Sequence, residues 1–186
     1  MCFHAPVDQR SAQIPVPPPC RVRRRDASDL AACVRVLADV HSSNGYPVNW
    51  PDRPDDWLTQ PGQLAAWVAE VNGRVVGHVG LSRSGAGDLA AVLCSRQEGV
   101  PLDGIAVVSR LFVSPTARGC GIGAMLLATA VGDARERTLR PVLDVLASDT
   151  SAVALYERLG WRRLGTIDQE WGPAQTVCVR CYSAPT

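Results

Sequence analysis

The chain has 186 residues, 46% of them hydrophobic, and a formal net charge of +1. That length builds one well-cored domain and is too short for two sizeable ones. Near-balanced charge gives no general case for a nucleic-acid partner, and no apolar run reaches the ~18 residues of a membrane-crossing helix.

Residues 1–19, with Pro15-Val16-Pro17-Pro18-Pro19, read as an extended or disordered tail, and 20–186 as a single domain. Cys20 to Arg25 reads as a first strand with its arginines on a solvated face. Asp26 is placed to cap a helix whose apolar face (Leu30, Cys33, Val34, Leu37, Val40) runs to about Ser42, with Asp29 complementing its dipole. From Ser43 to Gly62 that period is lost, apart from a short helix at Pro54 to Leu58. Tyr46, Trp50 and Trp57 in this irregular stretch either cover the first helix or line a pocket. Leu64 to Val71 and Arg74 to Leu81 read as a hairpin turned by Asn72-Gly73. Residues 82–104 read as an insert holding one helix, Asp88 to about Gln97.

Val107 to Val113 is a β-rich apolar run, and Pro115 stops it because proline has no N–H for a ladder. Arg118-Gly119-Cys120-Gly121-Ile122-Gly123 follows, then Ile122, Leu126 and Ala130 at helical spacing. A strand, a glycine-rich turn and a helix start aim unpaired N–H groups and the positive end of a dipole at an anion. A Walker loop is excluded, since no Gly-Lys-Ser/Thr follows the glycines. A dinucleotide turn fits Gly119-x-Gly121-x-x-Ala124, but Ser114 to Arg118 separate the strand from the glycines, and the next acid, Asp144, lies inside its own strand. Pro141 to Leu146 reads as a strand covered on both faces, and Asp149 as the cap of a helix over Ser151 to Leu159. Trp161 to Ile167 and Thr176 to Tyr182 close the chain as an antiparallel pair. The order of elements is that of an α/β sandwich. Seven cysteines without framework spacing, and an N-terminus lacking a basic region before an apolar core, suggest the cytoplasm. Cys178-x-x-Cys181 has no second pair, so no metal is expected.

Leu111-Phe112-Val113-x-Pro115 followed by Arg118-Gly119-x-Gly121-x-Gly123 resembles the signature of the GNAT superfamily of acyl-CoA-dependent N-acyltransferases. A second string, Asp149-x-x-Ala152-x-x-Leu155-Tyr156-Glu157-Arg158-Leu159-Gly160-Trp161, is similar to the family's Asn-x-x-Ala-x-x-Leu-Tyr-Glu-Lys-x-Gly-Phe, with Asp149 where Asn is usual. The resemblance implies a mixed, mostly antiparallel sheet of about six to seven strands flanked by helices, its fourth and fifth strands splayed. It implies acetyl-CoA as the cofactor, with its pantetheine arm in that gap. By position, Leu111, Phe112 and Val113 would meet the arm. Arg118, Gly119, Cys120, Gly121, Ile122, Gly123 and Ala124 would meet the diphosphate, and Asp149 and Tyr156 would lie near the thioester. The 82–104 insert is longer than the link usual in the family.

Direct attack of a neutral primary amine on a thioester needs a base, donors for the oxyanion and an acid for the thiolate. Tyr156 is the expected acid, the Val113 N–H a candidate oxyanion donor and His78 the candidate base, with His41, Asp144 and Glu70 as competitors. Tyr46, Trp50, Trp57 and Arg110 are expected to meet the acceptor. Arg110 either holds an acidic group of that acceptor or pairs with a carboxylate of the chain. The expected partner is a small-molecule amine, with the chain a monomer or homodimer. A protein or peptide acetyltransferase and a non-catalytic acyl-CoA-binding module are the alternatives.

Overall fold

A computed structural model of the chain describes residues 19–172 and 175–186. The expected tail lies outside the described residues except for Pro19. Seven strands form one sheet: β1 (Cys20–Arg24), β2 (Gln63–Val71), β3 (Arg74–Arg83), β4 (Ile105–Val113), β5 (Arg140–Leu146), β6 (Arg162–Gly172) and β7 (Gln175–Ser183). Their spatial order is β1-β2-β3-β4-β5-β7-β6. Every neighbouring pair is antiparallel except β4 and β5. That parallel pair joins only Ile105–Val107 to Arg140–Val142, and beyond it the two strands separate. The splay expected between the fourth and fifth strands is therefore present.

Five helices cover the sheet: α1 (Leu30–Asn44), α2 (Pro54–Leu58), α3 (Leu89–Glu98), α4 (Ile122–Glu136) and α5 (Thr150–Arg158). Alternation along each strand divides their partners between two faces. Trp67, Ala69, Ala106 and Val108 pack with Leu126, Leu127 and Tyr156 of α4 and α5. The intervening Val68 packs with Cys33, Leu37 and Leu58 of α1 and α2. Ile105, Val107 and Val142 pack with Ala90, Ala91 and Cys94 of α3.

The 82–104 stretch thus acquires a structural role. It completes β3 and then lays α3 on the sheet. Glu98, near the end of α3, accepts from Arg140 Nε at 2.9 Å and also pairs with Arg162. Local signals explain most boundaries. Asp26 and Asp29 form a reciprocal capping box at a short 3₁₀ turn that leads into α1. Asn72 (φ 51°) and Gly73 turn the β2–β3 hairpin.

Arg21 and Arg24 are exposed as expected, but Arg23 and Arg25 depart from the solvated face. Arg23 bonds Asp29 (2.7 Å) and Glu70 (2.6 Å). Arg25 is half-buried and donates to Leu58 O, Gln63 and His78. β6 also runs on to Gly172, beyond the strand end expected at Ile167.

Candidate active site

Where β4 and β5 part, two adjacent cavities open. The first, about 570 Å³, lies at the end of β4 beside the glycine turn. Gly119 (φ 82°) and Gly121 (φ 76°) take a left-handed backbone that other residues adopt only under strain, and a Cβ at either would meet open space. Gly121 is the N-cap of α4. The first intrahelical bond runs from Met125 N–H to Gly121 O at 3.1 Å, so the amides of Ile122, Gly123 and Ala124 precede the hydrogen-bond ladder. At Gly123 a Cβ would come within 3.3 Å of Leu155, which is how closely α5 approaches this turn. The exposed Arg118 guanidinium sits on the rim, its Nε donating to Val113 O at 3.2 Å. Leu111, Phe112 and Val113 line the same cavity. Ser114 N–H donates to Val76 O at 2.7 Å. Successive strand amides point to opposite edges, so the Val113 amide faces the open side. The cradle fits a diphosphate with an extended arm beside β4. The Cys120 side chain is exposed and does not line the cavity.

The second cavity, about 550 Å³, threads the gap from Trp57 and Arg110 on the α2 side to Tyr156 on the α5 side. Tyr46, Leu111, Asp149 and Ala152 line both cavities. Asp149 caps α5 by accepting from Ala152 N–H at 3.0 Å, so the acid in place of Asn keeps the capping role. Two turns after Asp149, Tyr156 is almost fully buried, packed against Trp161 and Tyr182 with ring centroids 5.9 and 6.0 Å away. Burial first, then neighbouring Tyr46, Asp149 and Asp144, pushes its phenol ionisation well upward. Tyr156 therefore keeps its proton at neutral pH. Asp144 reaches solvent at the cavity yet is densely surrounded. That packing, with the like charge of Asp88, raises its carboxyl above the ordinary range.

Other expected site residues stand elsewhere. His78 is completely buried and lines neither cavity. Its Nδ1–H donates to Arg110 O at 2.9 Å and its Nε2 accepts from Arg25 at 3.0 Å. Burial pushes its pKa down to about 3. With both nitrogens engaged inside the core, it has no proton-accepting atom to offer an acceptor. His41 donates to Pro47 O at 2.8 Å and packs on Trp50, which is 40% exposed and outside the cavity wall. Glu70 is held by Arg23. Trp171 and Gln169, which the sequence did not point to, line the second cavity because the long β6 carries them there. Arg110 does not pair with a carboxylate among the described residues, and its Nε is buried without a hydrogen-bond partner. Among the described residues no group of three potential metal ligands forms, and no helix is long and apolar enough to cross a membrane.

Comparison with known proteins identifies a family and a shared fold. The model of the Acetyltransferase (GNAT) family matches residues 32–161. An uncharacterized N-acetyltransferase of Methanocaldococcus jannaschii is 32% identical over 106 residues, which are 56% of this chain and 42% of that protein. The chain thus spans less than half the length of this curated relative. Two solved structures share the fold. YncA of Salmonella typhimurium, crystallised with its cofactor acetyl-CoA, superposes with a TM-score of 0.65 at 19% identity, covering 88% of this chain and 92% of that one. Ribosomal-protein-alanine N-acetyltransferase of Brucella melitensis superposes with a TM-score of 0.62 at 24% identity, covering 87% and 98%.

Proposed function

Because the chain belongs to the Acetyltransferase (GNAT) family, we propose that it is a cytoplasmic, acetyl-CoA-dependent N-acetyltransferase whose acceptor is the primary amine of a small molecule. One observation carries this reading. A main-chain cradle for a diphosphate shares four walls with an aromatic cavity that holds a tyrosine and a carboxylate. The YncA relative, which carries acetyl-CoA on the same fold, supports the choice of cofactor.

Acetyl-CoA would supply an acetyl group already activated as a thioester. Arg118 and the amides from Gly119 to Ala124 would hold its diphosphate, with the dipole of α4 adding partial positive charge. Leu111 and Val113 would line its arm, and the Val113 N–H offers a donor to developing negative charge. Tyr156 holds a transferable proton at its Oη, kept there by burial. Asp144 accepts the proton of the acceptor ammonium at its carboxylate, directly or through water, and its raised pKa brings it nearer to a useful base. Tyr46, Trp57 and Trp171 enclose the acceptor and exclude bulk water. A walled cavity of this size suits a small amine better than an open groove for a peptide.

Release of free thiol from acetyl-CoA over a panel of small primary amines and short peptides tests the reading, alongside calorimetric titration with CoA and NAD. The expected result is turnover of a small amine, tight CoA binding and no NAD binding. CoA binding without turnover of any amine would make the chain a binding module. Preference for peptides would move it to the protein-modifying members of the family.

A further inference from the structure

Arg110 is a half-buried cation without an anion. Among the described residues its guanidinium has no ion pair, and its Nε is buried with no acceptor. Its backbone sits at φ 53°, a left-handed conformation that long side chains rarely adopt. Such strain persists only where the surroundings impose it. Here they do. The β3–β4 register slips between His78 and Gly80, so that Arg110 and Leu111 together span the step from Ser109 to Phe112. His78 Nδ1–H holds the Arg110 carbonyl at 2.9 Å. The ring of Trp57 lies 4.5 Å from the Arg110 Cζ.

An aromatic ring against the flat face of a guanidinium leaves its N–H edge free, and that edge matches the two oxygens of a carboxylate. Arg25 stands behind it as a second half-buried cation, and it too bonds only neutral groups. This wall of the cavity is therefore positive. Burial lowers the Arg110 pKa to about 10, which leaves it charged at neutral pH. The carboxylates of the same cavity, Asp144 and Asp149, come from β5 and the start of α5, and neither bonds Arg110.

We propose that Arg110 is the subsite for an acidic group of the acceptor, so that the substrate is a small zwitterionic amine with its carboxylate on Arg110 and its ammonium toward Asp144. Calling the bound molecule an acceptor rests on the acetyl-transfer reading above; carboxylate binding at Arg110 does not.

The test uses the full chain and matched triads built on alanine, leucine and phenylalanine: each amino acid, its carboxamide and its decarboxylated amine. Binding is measured by calorimetry without cofactor, and thiol release is then measured with acetyl-CoA. In at least one triad the amino acid should bind about tenfold or more tightly than its two partners, the scale of a charge-assisted hydrogen bond. Arg110→Asn, which tolerates the left-handed backbone, should collapse that ratio toward one. Arg110→Lys should keep part of it, since the charge remains without the fork. Equal binding within every triad, or no binding of any amino acid, would overturn the proposal. So would an equal loss on all three members in Arg110→Asn. If the Arg110-dependent preference persists but no probe releases thiol, the acetyl-transfer reading fails and the carboxylate subsite stands.

Discussion

The glycine cradle and the aromatic cavity are neighbours of different physical origin. The cradle is made of main chain: two left-handed glycines, a helix start and the end of one strand, all within Leu111 to Ala124. The cavity is made of side chains that arrive from six places: the loop after α1, α2, β4, β5 with α5, β6 and β7. A site built from backbone amides needs only a local turn, because every residue carries the same donor. A site built from side chains needs the whole sheet to be in register first.

Replacing the acid and the strand carboxylate tests the chemistry placed in the cavity. Tyr156→Phe should lower kcat by about 10²-fold or more, the scale of a positioned acid. CoA affinity should hold, because Tyr156 lines the second cavity and not the cradle. A kcat within twofold of the parent would remove the role. Asp144→Asn should cost about tenfold to hundredfold at neutral pH. The sign follows from its raised carboxyl: the competent base is the deprotonated form, so kcat/KM should climb with pH on a limb lying above the usual carboxylate range. That limb should vanish in the Asn variant, and its survival would assign the base elsewhere.

The cradle breaks differently. Gly121→Val forces a β-branched residue to φ 76°, a strain of about 1–2 kcal/mol. CoA binding by calorimetry should weaken about tenfold, the equivalent of ~1.4 kcal/mol, while acceptor affinity measured without cofactor holds. Equal losses for both ligands would mean that the two compartments are not separable. A separate effect is expected on folding, away from both ligands. His78 ionises at about 3 in the folded chain, against ~6.5 when unfolded. Its contribution is therefore fully present above pH 6.5 and is lost as pH falls toward 3. Denaturant titrations should show about 2 kcal/mol less stability at pH 5 than at pH 7 from this group. His78→Gln should flatten that slope.

The same contrast explains how much could be read before any coordinates. Glycines at 119 and 121, the Asn72-Gly73 turn and the Asp149 cap each act within four residues, and each is where the sequence puts it. His78 was misread because a strand pattern does not reveal that Arg25, 53 residues earlier, ends beside its ring. Trp171 was missed and Trp50 overvalued for one reason: an aromatic in an irregular or terminal stretch faces wherever distant packing turns it. The strained backbone of Arg110 comes from a slip between two strands, and no residue of β4 announces it.

Tyr46, Leu111, Asp149 and Ala152 form a party wall between the two rooms. A guest that held these four side chains from one side would also fix the surface offered to a guest on the other. Thermodynamic linkage is reciprocal: whatever factor the first visitor adds to the second's affinity, the second returns to the first. Cooperation between the two reactants would then require no hinge and no second subunit, only the four side chains that both cavities share.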